Sequence, residues 1–366
     1  MKVLVTGANG LVGANLVREL LHAGHEVRAF VRQKSDRRSL EGLAVETVFG
    51  DVLDADSLKP AAEGCDVLFH AAAVFAYWNH PAAALKKIAV EGTLNTVNAA
   101  HAAGVGRVVL TSSTVVLGSA TEKQVRDESS PGNETDAYSA AKAAQEEAGF
   151  ARAAELGLEL VAVCPGMCLG AYDYRLSPSN AIVCSYLKDP WKLTWPGGCN
   201  LVSVRDVARG HLLVAEKGVP GERYVLGSEN LEWPAIHRLI AELCGASPSK
   251  YTANHTSAYL AATAQEFVSW LTRKPPLSTR TQAKMVGRYY WYNHERAAAL
   301  GYSPRPAREA LAEAIAWLLS TPHIPMPLRA ELQPLAEVYA AWETLRASAE
   351  RLRQGKAPAR SRKRTA

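Results

Sequence analysis

Met1-Lys2-Val3-Leu4-Val5-Thr6-Gly7-Ala8-Asn9-Gly10-Leu11-Val12-Gly13 opens the chain and decides its fold. Lys2 to Val5 reads as a short buried strand, apolar and free of turn formers. Glycines follow at 7, 10 and 13, and Ala14 to Ala23 has helical apolar spacing. Strand, glycine-rich turn and helix are the parts of a dinucleotide pyrophosphate site: Gly7 for the tight turn, Gly10 for approach of the backbone to phosphate, Gly13 for close packing of helix on strand. The helix N-terminus adds free N–H groups and a partial positive charge. Asn9, Leu11 and Val12 complete the candidate phosphate turn.

Working outward, Val27 to Val31 reads as the second strand. An NAD site places an acid at its end to bond the ribose 2′-hydroxyl, whereas a 2′-phosphate needs arginine. Val31-Arg32 stands there, followed by Lys34, Arg37 and Arg38, with one acid, Asp36, among them. Arg32 therefore favours NADPH, with NADH as the alternative. Val45 to Phe49 is the third strand. Asp51 after it is placed to accept from an adenine amino group, with Val52 against the ring. Val67 to His70 is the fourth strand and runs into Ala71, Ala72 and Ala73, small residues that let the chain pass under a cofactor. His70 is read as packed. Helices over about 84–103 and 138–155 and strands over 106–113 and 158–163 continue the alternation, which implies a doubly wound parallel α/β sheet of Rossmann type.

Tyr138 and Lys142 lie four apart on a helix and share one face. A neighbouring ammonium favours an ionised phenol, the property wanted in a proton donor to a nascent alkoxide. Ser113, at a strand end, is placed to hold the same substrate oxygen. The aromatic residues Phe75, Tyr77 and Trp78 follow the fourth strand, where open α/β sheets bind substrate. Thr114, Tyr172 and Trp195 are further substrate candidates.

Read together, Thr6-Gly7-x-x-Gly10-x-x-Gly13, Gly50-Asp51, His70-x-Ala72-Ala73, Glu91-Gly92-Thr93-x-Asn95, Ser112-Ser113, Tyr138-x-x-x-Lys142 and Cys164-Pro165-Gly166-x-x-x-Gly170 resemble the extended short-chain dehydrogenases/reductases over about residues 1–320. The second-strand text resembles the dihydroflavonol-4-reductase branch. The resemblance implies that Ser113, Tyr138 and Lys142 form a catalytic triad, that Lys142 bonds the nicotinamide ribose, and that Pro165 and Met167 lie by the carboxamide. Ala89, Cys164 and Leu117 depart from common family residues and bear on substrate identity. Thr114-Val115 stand where sugar-nucleotide dehydratases of the family carry an acid pair, which argues against dehydration.

The expected domains are 1–165 for cofactor and catalysis, 166–323 for substrate with strands returning to the sheet, 324–352 as an amphipathic helix, and 353–366 as a basic disordered tail. Leu328 to Leu352 reads as one helix that docks on the body, with a dimer or weak peripheral membrane contact as the alternative. Residues 256–272 form an apolar helix that either packs on the pocket or meets a partner. The net charge of +5 comes from seven basic residues after position 350; without them 34 basic face 36 acidic residues. Nucleic acid is therefore not an expected partner. Six scattered cysteines without C-x-x-C pairs read as reduced thiols, so no metal site is expected and the cytoplasm is. No apolar run is long enough to span a bilayer.

The leading expectation is NADPH-dependent reduction of a ketone or aldehyde on an apolar or aromatic small molecule by a homodimer. Epimerisation of a nucleotide sugar, oxidation of a steroid-like alcohol, and a non-catalytic cofactor sensor are the alternatives.

Overall fold

In the computed structural model, which describes residues 1–73, 81–133, 136–272 and 280–355, seven parallel strands form the central sheet. They are Lys2–Thr6 (β1), Glu26–Val31 (β2), Glu46–Phe49 (β3), Val67–His70 (β4), Arg107–Thr111 (β5), Glu159–Pro165 (β6) and Arg223–Leu226 (β7). Their order is β7-β6-β5-β4-β1-β2-β3. The chain winds outward from β1 to β3, then returns to place β4 on the other side of β1. The strand order therefore reverses between β1 and β4, where Thr6 lies opposite His70. In open α/β sheets that crevice is where ligands bind.

Strict alternation along the strands feeds two cores. Val3, Val5, Val27, Ala29, Phe69, Val109, Val161 and Val163 face one side, against Leu16, Leu20 and Val207. Leu4, Leu68, Val108, Leu110, Leu160 and Ala162 face the other, against Leu58, Val97 and Ala153. Helices Leu11–His22 (α1) and Val204–Lys217 cover the first face; Ala55–Ala62 (α2), Ala82–Ala102 (α3) and Ala137–Leu156 (α4) cover the second. Burial on both faces explains why these strands read as near-continuous apolar runs.

A second sheet is centred on Gly198–Ser203, which pairs with Glu229–Glu232, Met167–Leu169 and Tyr289–Tyr292. The aromatic run expected to pack does so by alternation. Tyr290 and Tyr292 are buried, while Tyr289 and Trp291 make an edge-to-face pair at 5.0 Å. The stretch Val204-Arg205-Asp206 also has a structural use. Asp206 accepts from the Arg305 backbone N–H at 2.9 Å, and Arg205 pairs with Glu313 at 3.3 Å and Glu19 at 3.6 Å. These bonds clamp α1 to helices Val204–Lys217 and Ala307–Leu319.

Two expectations at the C-terminus are corrected. The helix expected over 328–352 is two, Met326–Glu331 and Ala336–Arg353. Pro334 lacks an N–H and restricts the residue before it. The segment at the break bonds instead to the end of helix Trp233–Cys244, Gln333 N to Cys244 O at 2.9 Å and Leu335 N to Leu243 O at 3.0 Å. The second piece docks on the body through buried Val338, Leu345 and Leu352. The basic tail also starts later than expected, because Arg353 is still helical and a side chain at Gly42 would meet its Nε at 3.2 Å. Residues 356–366 lie outside the described residues.

Candidate active site

The glycine turn is as tight as its spacing implies. Gly7 has φ +66°, and a Cβ there would lie 2.7 Å from the Ala72 backbone; at Gly13 it would lie 2.2 Å from Gly7 O. The small residues after β4 therefore pass directly against the turn, with Ala71 N bonded to Thr6 O at 3.2 Å. Gly10 caps α1 without a side-chain hydrogen bond, which leaves the helix's first N–H groups for an anion. Leu11 and Val12 pack against the first core, and Asn9 ties the turn to the loop after β2, donating to Asp36 O at 2.8 Å.

That loop is cationic. Arg32, Lys34 and Arg37 are exposed, and among the described residues none has a carboxylate within 4.0 Å. Arg38 differs: it is paired with Asp36 at 2.6 Å, which holds the Asp36 carboxyl below its usual range. Asp51 Oδ1 accepts from Leu53 N at 3.1 Å, and Val52 takes the close approach of α3, since a Cβ at Gly92 would lie 2.9 Å from its Cγ2. Asn95 donates to Val52 O at 3.0 Å.

Asp136 caps α4, accepting from Tyr138 N at 3.0 Å and Ser139 N at 3.1 Å. The cap sets Tyr138 on the first turn, beside Ser113 at the end of β5. Against the expected lowering by Lys142, burial raises the phenol well above its ordinary value, and neighbouring Ser113 only partly offsets this. The reason is where the lysine points. Lys142 Nζ donates to Thr111 O and to Gln145 Oε1, both at 2.9 Å, and burial lowers it to about 8.

Gln145 continues a buried polar chain that sequence reasoning missed. Its Nε2 donates to Thr93 Oγ1 at 3.0 Å; Thr93 meets His70 Nε2 at 3.1 Å, and His70 Nδ1 meets Thr6 Oγ1 at 2.8 Å. The chain runs from Lys142 to the glycine turn. Burial lowers His70 to about 3, so it is neutral and packed, as expected. Position i+3 from Lys142 was the available signal for Gln145.

A second missed residue is Arg175. Its guanidinium lies over the turn, 3.9 Å from where a Cβ on Gly10 would stand. The loop carrying it has two left-handed non-glycine residues, Tyr172 (φ 68°) and Leu176 (φ 53°), and no local signal marks that geometry.

The substrate candidates scatter. Phe75, Tyr77 and Trp78 lie outside the described residues. Thr114 is buried and donates to Pro165 O at 3.2 Å. Tyr172 is buried beneath the Arg18 guanidinium, 3.4 Å from its ring centroid, and packs on Trp317 at 5.1 Å. Trp195 meets His237 edge to face at 4.8 Å and Trp233 at a tilt at 5.4 Å. Met167 opens a short strand paired with Leu201. Core packing claims Thr114 and Tyr172 because the chain turns inward after Ser113 and Ala171. Of the expected site residues, those the fold brings to the C-terminal edge include the glycine turn, Arg32, Asp51, Val52, Ala71, Ala72, Ser113, Tyr138, Lys142 and Pro165.

With this geometry in view, comparison with known proteins is direct. Residues 3–227 match the model of the NAD dependent epimerase/dehydratase family, and the chain belongs to that family. A putative dihydroflavonol 4-reductase of Synechocystis sp. is 35% identical over 321 residues, covering 86% of this chain and 93% of the relative. Cinnamoyl-CoA reductase 1 of Oryza sativa subsp. japonica is 32% identical over 342 residues, covering 88% and 92%. The solved structure of gox2253 superposes with a TM-score of 0.77 at 33% identity, covering 88% of this chain and 99% of that one. The protein is an NAD(P)-dependent oxidoreductase of the extended short-chain dehydrogenase/reductase type, and its relatives support carbonyl reduction in general. Among the described residues no helix is long and apolar enough to cross a membrane.

Proposed function

We propose that this protein reduces a ketone or aldehyde on an apolar or aromatic small molecule, using NADPH, with Ser113, Tyr138 and Lys142 as its catalytic residues. One observation carries the reading: Tyr138 is buried beside Ser113 at the end of β5, one helical turn from a buried Lys142. Two relatives named as reductases, one of a dihydroflavonol and one of cinnamoyl-CoA, support an aromatic carbonyl substrate.

The residues present fit the cofactor. The uncapped start of α1 and Arg175 suit a pyrophosphate, and Arg32 with Arg37 suits a 2′-phosphate, because neither guanidinium has a carboxylate partner among the described residues. When bound, the nicotinamide supplies the hydride. The chain supplies the rest. Ser113 donates a hydrogen bond to the carbonyl oxygen, and Tyr138 gives that oxygen its proton as negative charge develops there. Burial keeps the phenol protonated, as a donor requires, and an alkoxide is basic enough to take the proton. Water then reprotonates the phenolate. The Lys142 ammonium, fixed by Thr111 and Gln145, keeps a positive charge within this dry site, where it acts more strongly than in bulk water.

Initial rates with NADPH and NADH against a panel of aryl and alkyl ketones test the reading. Turnover with NADPH is expected to fall at least about a thousandfold in Tyr138→Phe while NADPH binding by fluorescence is retained. Undiminished turnover in that variant overturns the mechanism, and equal rates with both cofactors overturn the reading of Arg32.

A further inference from the structure

Helix His255–Thr272 is built inside out. At 100° per residue, Leu260, Ala264, Phe267, Val268, Trp270 and Leu271 share an arc of about 160°. That arc faces solvent: Leu260 is 65% exposed, Phe267 61%, Trp270 73% and Leu271 61%. Buried Ala262 and Ser269 hold the opposite face, and the helix packs chiefly on the short helix Arg280–Ala283. Of the two expectations for 256–272, packing on the pocket is corrected, since the apolar stripe turns away from the body; an outward stripe is what meeting a partner requires. Helices of globular proteins normally bury such a stripe. Scattered exposed apolar residues are ordinary, but a contiguous set rich in aromatics marks an interaction surface. At the base of the helix, strand Tyr251–Thr252 pairs with Leu193–Thr194, and exposed Tyr251 and Trp191 pack edge to face at 6.3 Å.

Charge identifies what covers the stripe. Residues 250–288 hold six basic side chains (Lys250, Arg273, Lys274, Arg280, Lys284 and Arg288) and one acid, Glu266. Glu266 is neutralised by Arg280 at 2.5 Å. Outside this stretch and the tail from 351 onward, the chain carries 28 basic against 35 acidic residues. By sequence this stretch carries a net charge of +5, against −7 for the rest of the body. A second copy of the same surface would bring two cationic segments together, at a cost in repulsion. An anionic lipid surface matches both properties, taking the apolar arc into the acyl boundary and the cations at the headgroups.

We propose that helix His255–Thr272 seats the enzyme on anionic phospholipid membranes. The inference does not depend on which carbonyl is reduced. Cosedimentation of the full-length protein with vesicles of phosphatidylcholine, with and without about a third phosphatidylglycerol, tests it. Binding is expected with the anionic vesicles and is expected to weaken in high salt. The double variant Phe267→Asp/Trp270→Asp is expected to bind them at least about tenfold more weakly, with melting temperature and cofactor binding unchanged because both positions are exposed. Tyr339→Asp, an equally exposed aromatic on the C-terminal helix, is expected to leave binding intact. Absence of vesicle binding overturns the proposal. So does loss of binding in Tyr339→Asp but not in the double variant. Self-association in sedimentation that the double variant abolishes, without vesicle binding, makes the face a contact between copies and also overturns it.

Discussion

Gln145 Oε1 accepts from the Lys142 ammonium at 2.9 Å, and the same amide donates onward to Thr93. The buried lysine is thus aimed by a side chain one turn along its own helix rather than by the tyrosine it accompanies. Gln145→Leu removes one of the two acceptors that stabilise the charged form. Lys142 should then fall below about 8, since a buried cation that loses a hydrogen bond is penalised by about 1–3 kcal/mol. The basic limb of the pH profile of kcat is expected to move to lower pH. Gln145→Glu, which keeps the acceptor, should move it the other way. A limb unmoved in both variants would show that Gln145 only packs.

Two arginines near the turn are separable by cofactor. Arg32→Ser should weaken NADPH binding by about tenfold to a hundredfold, the worth of a charged hydrogen bond, and leave NADH binding unchanged. Arg175→Ala should weaken both equally, because it lies over Gly10 at the turn common to both dinucleotides. Titration of each variant by nicotinamide fluorescence reads the two patterns.

Gly13→Ala should abolish cofactor binding and destabilise the fold by about 1–3 kcal/mol. Its new methyl would sit 2.2 Å from Gly7 O, backbone that has nowhere to move with Ala72 already against Gly7. Gly10→Ala meets nothing closer than 3.4 Å and should fold normally, so thermal melts of the two variants should differ.

Acid should unfold the protein through its buried histidines. Burial lowers His70 to about 3, and His211 and His237 to about 4, against 6.5 when unfolded. The unfolded chain therefore binds protons that the folded one refuses. Their stabilising contribution is complete above pH 6.5 and is lost as pH falls toward 4, at about 1.4 kcal/mol per unit of pH for each histidine. Three together cost about 4 kcal/mol per unit, enough to exhaust a typical domain's stability within a few units. Denaturant melts between pH 7 and 4.5 should show this slope, reduced by about one proton in His237→Gln.

Local chemistry made the first half of the molecule legible. The strand, turn and helix at residues 2–22, the alternation that follows, and the Tyr138–Lys142 spacing all depend on neighbours within a few residues, where backbone sterics and periodicity act. Ser113, read from its place at a strand end, stands on the same footing. What the sequence could not convey is direction. Whether Lys142 points at Tyr138 or at Thr111 and Gln145 depends on strand β5 lying beneath α4. Thr114 and Tyr172 are drawn into the core by packing from segments more than fifty residues away, and Arg175 reaches Gly10 only because its loop folds back over α1. The outward stripe of His255–Thr272 is the plainest case. Its helical period is written in the sequence, but which face of an amphipathic helix meets water is decided by the tertiary contacts made by its other face.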